Sequence, residues 1–306
     1  MAETMVYMND RFVPASQAKL EIFDLGIVLG ATLTEMTRTF RHSLFKAEEH
    51  IARLYRSLKY AGIAVPLTPQ EMLERTRELT AMNCRQLEPG LELGVIHFVT
   101  PGVNRIYAGS AATSGPLQPT ICIHSFPLPF KVWRYLFVEG AHVVTPAIRH
   151  VPPQCVDPKM KNRSRLHWFL ADNQTHAVDP KAITLLLDLE GNITECAGSN
   201  FVIVNGNQII SPTRRNILWG VTLQTVKELA PKLGLEFIER DIQLYDVANA
   251  DEAWLTTTPY CVAPCTKFNG APIGNGKPGP VCRKMLDAWS QLTGLDVEQQ
   301  ILNSPY

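Results

Sequence analysis

Two prolines one residue apart, in Phe126-Pro127-Leu128-Pro129-Phe130, constrain this chain more than any other local feature. Proline fixes φ and carries no amide hydrogen, so such a pair is excluded from the interior of a helix or a central strand. The chain therefore divides here, into a smaller front domain, residues 1–129, and a larger back domain, residues 130–306. With 306 residues, 45% hydrophobic and 19% charged, it has the material for two modest cores.

Within the front domain, residues 4–14 and 17–23 read as short strands about a turn. Glu48–Tyr60 then places Ile51, Leu54, Leu58 and Ala61 on one helical face, and Gly62 ends it. Thr68-Pro69-Gln70-Glu71 is a capping box with proline at the first helical position, opening a second helix towards Asn83. Leu91–Thr100 and Thr120–Phe126 are β-rich, with loops at Pro101-Gly102 and Ser114-Gly115-Pro116. In the back domain, Glu190-Gly191, Asn205-Gly206 and Asn269-Gly270 are tight-turn pairs between apolar runs, which favour antiparallel pairing. Helices are expected at Asn162–His176, Leu223–Leu233 and Val281–Leu292. The class is α+β with mixed or antiparallel sheets.

The balance of 29 Lys+Arg against 29 Asp+Glu leaves no basic field to attract nucleic acid or anionic lipid, so a small-molecule partner is expected. No apolar run approaches the roughly 20 residues of a membrane-spanning helix, and Glu3 and Asp10 stand where a secretory signal places its apolar stretch. A cytoplasmic protein is the expectation, and the seven scattered cysteines read as reduced, mostly buried hydrophobes. The histidines and cysteines form no metal-ligand pattern, so no metal is expected. Gly274-Asn275-Gly276-Lys277 lacks the Ser or Thr of a phosphate loop, because Pro278 follows, and reads as a plain loop.

Two polar stretches stand out. Lys159, Lys161, Arg163 and Arg165 set four cations in seven residues just before apolar helical positions at Leu166, Trp168, Phe169 and Leu170. This is either a solvated basic turn or the site of a desolvated lysine, whose lowered pKa makes the amine a nucleophile able to form a Schiff base. Glu195 ends an apolar strand and leads into Cys196-Ala197-Gly198-Ser199-Asn200, small residues that let a flat ligand approach the backbone. Trp219-Gly220-Val221-Thr222 opens a helix and Thr256-Thr257-Thr258 ends a strand, and both suit an anion. Arg53 lies off the apolar stripe of its helix, a position that ordinarily faces water.

The order of these features, from Phe23-Asp24-Leu25-Gly26 and His50-Ile51-Ala52-Arg53-Leu54 through Lys161, Glu195–Phe201, Gly220-Val221-Thr222 and Leu255–Thr258, resembles the class IV aminotransferases. These are the fold type IV pyridoxal-phosphate enzymes, which include branched-chain and D-amino acid aminotransferases, (R)-amine transaminases and aminodeoxychorismate lyase. The resemblance spans about residues 6–295. It implies a small N-terminal α/β domain, a larger C-terminal β-barrel-like domain and a homodimer. It also implies that Lys161 holds pyridoxal 5'-phosphate as a Schiff base, and that Glu195 contacts the pyridine nitrogen. Arg53, Val221, Thr222 and Thr258 match the phosphate cup, and Lys159, two residues away, is the rival for the lysine role.

The sequence departs from the family at Leu166, where many branched-chain enzymes have tyrosine, at Arg163-Ser164-Arg165, and at Gly30–Glu35, so cofactor binding is implied more firmly than the substrate. A substrate α-carboxylate needs a cationic or N–H-rich receptor, for which Arg105, Arg38 and the Thr257-Thr258 backbone are candidates. The leading expectation is an aminotransferase working between an amino donor, branched-chain amino acids among them, and a 2-oxo acid acceptor. A D-amino acid or (R)-amine transaminase, or a lyase of the aminodeoxychorismate type, is the alternative, and a non-catalytic small-molecule binder the remote one.

Overall fold

The computed structural model describes residues 3–109 and 116–306. The chain falls into two compact units, Met1–Leu128 with Met160–Ser164, and Pro129–Lys159 with Arg165–Tyr306. Pro127 is the last residue of a strand and Pro129 the N-cap of the next helix, so both prolines stand at element ends. Of the loop expected at Ser114-Gly115-Pro116, Ser114 and Gly115 lie outside the described residues.

In chain order the first unit comprises β1 (Met5–Met8), β2 (Arg11–Pro14), α1 (Leu25–Val28), β3 (Leu33–Phe40), β4 (Ser43–Leu44), α2 (Ala47–Ala61), α3 (Pro69–Cys84), β5 (Leu93–Thr100) and β6 (Thr120–Pro127). Its strands form an antiparallel sheet in the order β2-β1-β6-β5-β3-β4. One face buries Tyr7, Leu33, Val95, Val99, Ile121 and Ile123 against Ile51, Leu54 and Leu58 of α2 and Met72 and Leu79 of α3. That is why the apolar residues of α2 recur at helical spacing.

Local signals set the helix ends. The Thr68–Glu71 capping box is formed in both directions, and Gly62 closes α2 at φ 68°, a conformation that favours glycine. The strand expected over 17–23 does not form: a short 3-10 turn at Ala15–Gln17 leads into irregular chain, and Leu20 and Ile22 are exposed. Their alternation has no partner strand among the described residues, and alternation alone does not make a strand.

The second unit comprises α4 (Phe130–Val138), β7 (Ala141–Val144), α5 (Leu166–Val178), β8 (Ile183–Leu187), β9 (Ile193–Cys196), β10 (Asn200–Asn205), β11 (Gln208–Ser211), α6 (Val221–Leu229), β12 (Glu236–Glu239), α7 (Leu244–Ala248), β13 (Glu252–Thr257), β14 (Cys261–Phe268), β15 (Ala271–Pro272), α8 (Pro280–Thr293) and α9 (Val297–Asn303). The sheet is mixed: β7 runs parallel to β8 and β14, and β11 parallel to β12, while the hairpins are antiparallel. Its path β10-β13-β14-β7-β8-β9 returns to β10 through the pairing of Glu195 with Asn200, closing six strands into a barrel-like ring. The fold is thus α+β with two units.

Candidate active site

The lysine segment differs from its expectation in one respect. Helix α5 begins at Leu166 rather than Asn162, and residues 161–163 are extended. The Thr34 N–H donates to the Lys161 carbonyl at 3.0 Å, the Arg163 N–H donates to the Thr32 carbonyl at 2.8 Å, and Leu33 faces Asn162 between them. Backbone groups committed to β3 cannot serve a helix, and Ser164 secures the turn by donating its hydroxyl to the Gly30 carbonyl at 2.6 Å. Lys161 is half-buried in the first unit. Lys159 is exposed in the second, paired with Asp157 at 3.1 Å.

Arg53 is buried, not at the surface as its place off the apolar stripe implied. Its Nε and Nη2 donate to the two Glu35 carboxylate oxygens at 2.6 and 2.8 Å, and His50 Nδ1 adds a 2.8 Å bond to Oε2. Burial acts to raise the Glu35 pKa, but the Arg53 charge and the bonds from Arg53 and His50 outweigh it and hold the carboxyl well below its usual range. His50 is held neutral, chiefly by burial. Glu35 adjoins Thr34 on β3, so Arg53 and Lys161 are both anchored to neighbouring residues of one strand.

In the second unit Glu195 sits at the ring closure. Its Oε2 accepts 3.0 Å bonds from Asn200 Nδ2 and from the Leu218 N–H, while Oε1 faces His150 Nε2 at 3.6 Å. The His150 ring is fixed by a 2.9 Å bond between Nδ1 and the Val151 carbonyl. A carbonyl only accepts, so Nδ1 carries the proton. Asn200 also donates to the Leu218 carbonyl at 2.7 Å. Gly220 makes room for it: a Cβ there would lie 2.3 Å from Asn200 Oδ1.

Gly220 is the N-cap of α6, with no side chain occupying the cap. Helix geometry leaves the first-turn N–H groups, those of Val221 and Thr222 included, without intrahelical partners. Thr256, opposite Asn200 in the β10–β13 register, is buried, and its hydroxyl makes no hydrogen bond among the described residues. Thr257 donates to the Gly198 carbonyl at 2.5 Å, and Thr258 is half-buried in the turn that follows. A carboxylate held by neutral donors, an uncapped helix start and an orphaned hydroxyl fit a flat, nitrogen-containing ring that bears an anionic group.

Of the residues considered for a substrate carboxylate, Arg38 is buried, stacks on Phe40 at 3.8 Å and donates to the Thr39 carbonyl. Arg105 donates to the Pro116 carbonyl. Residue-type reasoning missed His150, whose lone position far from Glu195 in sequence carries no signal. It also missed the bond of Arg165 to the Ala197 carbonyl. Asn200 lay within the small-residue run, and its side-chain amide was the available clue. Among the described residues no group of three or more His, Cys, Asp or Glu is placed to hold a metal ion, and no helix is long and apolar enough to cross a membrane.

The Amino-transferase class IV family model matches residues 32–268, so the chain belongs to the class IV aminotransferases. It is accordingly a transaminase of fold type IV, and pyridoxal 5'-phosphate is its cofactor. The sequence is 30% identical over 291 residues to a putative branched-chain-amino-acid aminotransferase of Methanocaldococcus jannaschii, covering 94% of this chain and 96% of that one. It is 29% identical over 286 residues to a D-alanine aminotransferase of Bacillus licheniformis, covering 92% and 95%. The fold is shared with a T.th. branched-chain amino acid aminotransferase complexed with N-(5'-phosphopyridoxyl)-L-glutamate, at TM-score 0.82 and 23% identity over 96% and 95% of the two chains.

Proposed function

We propose that this aminotransferase moves an amino group between an amino acid, with branched-chain amino acids as the first class of donor, and a 2-oxo acid, and that it does so as a cytoplasmic homodimer with a domain boundary near residue 130. The observation that carries the site reading is Glu195 held by Asn200 and the Leu218 N–H beside the open start of α6.

When bound, pyridoxal 5'-phosphate supplies an electrophilic carbonyl carbon and a ring that takes up the electrons of a broken Cα–H bond. Glu195, as an anion, holds a proton at the ring nitrogen. Lys161 Nζ is the amine that anchors the cofactor, then takes the proton from the substrate Cα and returns it, as base and then acid. The N–H groups of Val221 and Thr222, with Thr258 and Arg53, hold the phosphate. Arg38, Arg105 and Thr257 are the further candidates for contacts to the substrate.

The near-equal identity to a D-alanine aminotransferase favours, as a second reading, a D-amino acid donor. Both are tested on the purified protein by borohydride reduction with peptide mapping, and by donor assays with both enantiomers against 2-oxoglutarate and pyruvate. The expected result is label on Lys161 and acceptor-dependent turnover of L-leucine, L-isoleucine or L-valine. Label on Lys159 moves the lysine role, faster D-alanine turnover selects the second reading, and product without an acceptor replaces transamination by lyase chemistry.

A further inference from the structure

The segment 161–163 lies against β3 as a short antiparallel strand, with Leu33 and Asn162 as the facing pair. Side chains alternate across such a segment. Leu33 belongs to the buried core and Met160 is packed against that core, so Met160 and Asn162 take the core side. Alternation directs Lys161 and Arg163 away from that core, and the Lys161 charge, at the edge of β3, also reaches His50 beside Glu35.

The placement of Arg163 agrees with this. Its guanidinium lies 5.2 Å from the centre of the Phe98 ring, and Phe98 stands opposite Thr34 on β3 and Cys122 on β6, the face turned away from the helices. Along the same face Phe98 meets His124 edge-on, with ring centres 6.2 Å apart. Burial and the Arg163 charge hold His124 neutral, and burial keeps Cys122 a thiol by pushing it up to about 12. Arg163 thus supplies the charge on this patch and the His124 ring a neutral donor.

A guanidinium resting on an aromatic ring is oriented in advance and presents its planar N–H fork to a planar acceptor, and a carboxylate is the acceptor that matches it. Two residues of extended chain separate Lys161 and Arg163, roughly 7 Å, a gap that two long side chains span to reach one small molecule. We propose that Arg163 is the receptor for the substrate carboxylate, so that the enzyme selects amino acids over simple amines. The proposal rests on Lys161 being the reactive amine. It also gives a use to the Arg163-Ser164-Arg165 departure, which the cofactor chemistry leaves unexplained.

The test uses the holoenzyme, its Arg163→Met and Arg163→Lys variants, and calorimetric binding of 4-methylpentanoate against the neutral 4-methylpentanamide. The wild type is expected to bind the acid roughly 30-fold tighter than the amide, the effect of one charge-assisted hydrogen-bond pair. R163M is expected to bring that ratio to within about threefold and R163K to fall between, with cofactor absorbance unchanged in all three. A parallel assay should show R163M losing turnover of leucine but not of 3-methylbutylamine. No preference for the acid in the wild type, a preference that survives R163M, or equal loss of acid and amide overturns the proposal. If instead the wild type lacks the cofactor band, or reduction labels Lys159, it is the underlying lysine reading that has failed.

Discussion

Two carboxylates, one in each unit, are held in opposite ways. Glu35 is fully buried and receives three bonds, two of them from the charged Arg53, on both of its oxygens. Glu195 takes its hydrogen bonds from neutral donors, a side-chain amide and a backbone N–H, both on Oε2, with the Arg165 charge nearby. Its Oε1 accepts no hydrogen bond among the described residues and only faces His150 at 3.6 Å. The first arrangement neutralises a charge and builds a rigid base for Arg53. The second fixes a charge in place and leaves it able to act on something else.

Breaking the first pair should have the largest effect. Glu35→Ala leaves Arg53 buried without its counter-charge, and a loss of about 3–5 kcal/mol in unfolding free energy is expected from urea denaturation. A loss under about 1 kcal/mol would mean that the cation finds water or another anion. Glu195→Gln keeps the shape and removes the charge. Turnover should fall by about 10²–10³, as when one preorganised electrostatic partner is lost, while stability falls less than for Glu35→Ala, because Arg165, the cation that feels the Glu195 charge, is only partly buried. If E195Q unfolds the protein instead, the contrast between the two carboxylates is wrong.

Acidification sharpens the comparison, because the histidines of the first unit titrate with folding. His97 is buried, and Thr76 gives its only hydroxyl proton to the Met72 carbonyl. The His97 Nε2–H therefore donates to Thr76, and Nδ1 has no partner among the described residues. Burial lowers its pKa to about 4. The unfolded chain takes up a proton below about 6.5 and the folded chain does not, so stability is full above that pH and falls as pH drops towards 4. His50 shifts in the same direction. Unfolding free energy should be lower at pH 5 than at pH 7.5 by at least about 2 kcal/mol. A flat profile would show these rings to be hydrated.

The smallest effect is expected at Gly220. Gly220→Ala drives Asn200 from its bonds to Glu195 and Leu218, and should lower kcat/KM about tenfold with roughly 1–2 kcal/mol of destabilisation. Unchanged kinetics would show that Asn200 is not needed to orient the acid.

Much of the fold was legible because its signals are local. The Thr68–Glu71 capping box, Gly62 after α2 and the turn at Asn205-Gly206 each act within a few residues, through backbone conformation and hydrogen bonds to near neighbours. The ordered motifs pointed to the aminotransferase family for the same reason, since each is a short stretch with its own chemistry. The failures have one cause too. Residues 17–23 alternate but pair with no strand among the described residues, and Asn162 reads as the start of a helix but is bound in extended form to β3.

Propensity, capping and periodicity are decided over a few residues, and they suffice for most of α2, α3, α6 and α8 and for the turns between apolar runs. Which side chains meet is set by the packed fold instead: Arg53 with Glu35 across a helix and a strand, Glu195 with Asn200 at the closing of a ring, and Arg163 over Phe98. Such meetings depend on strand register and on which faces are buried together, and no short window of sequence contains either.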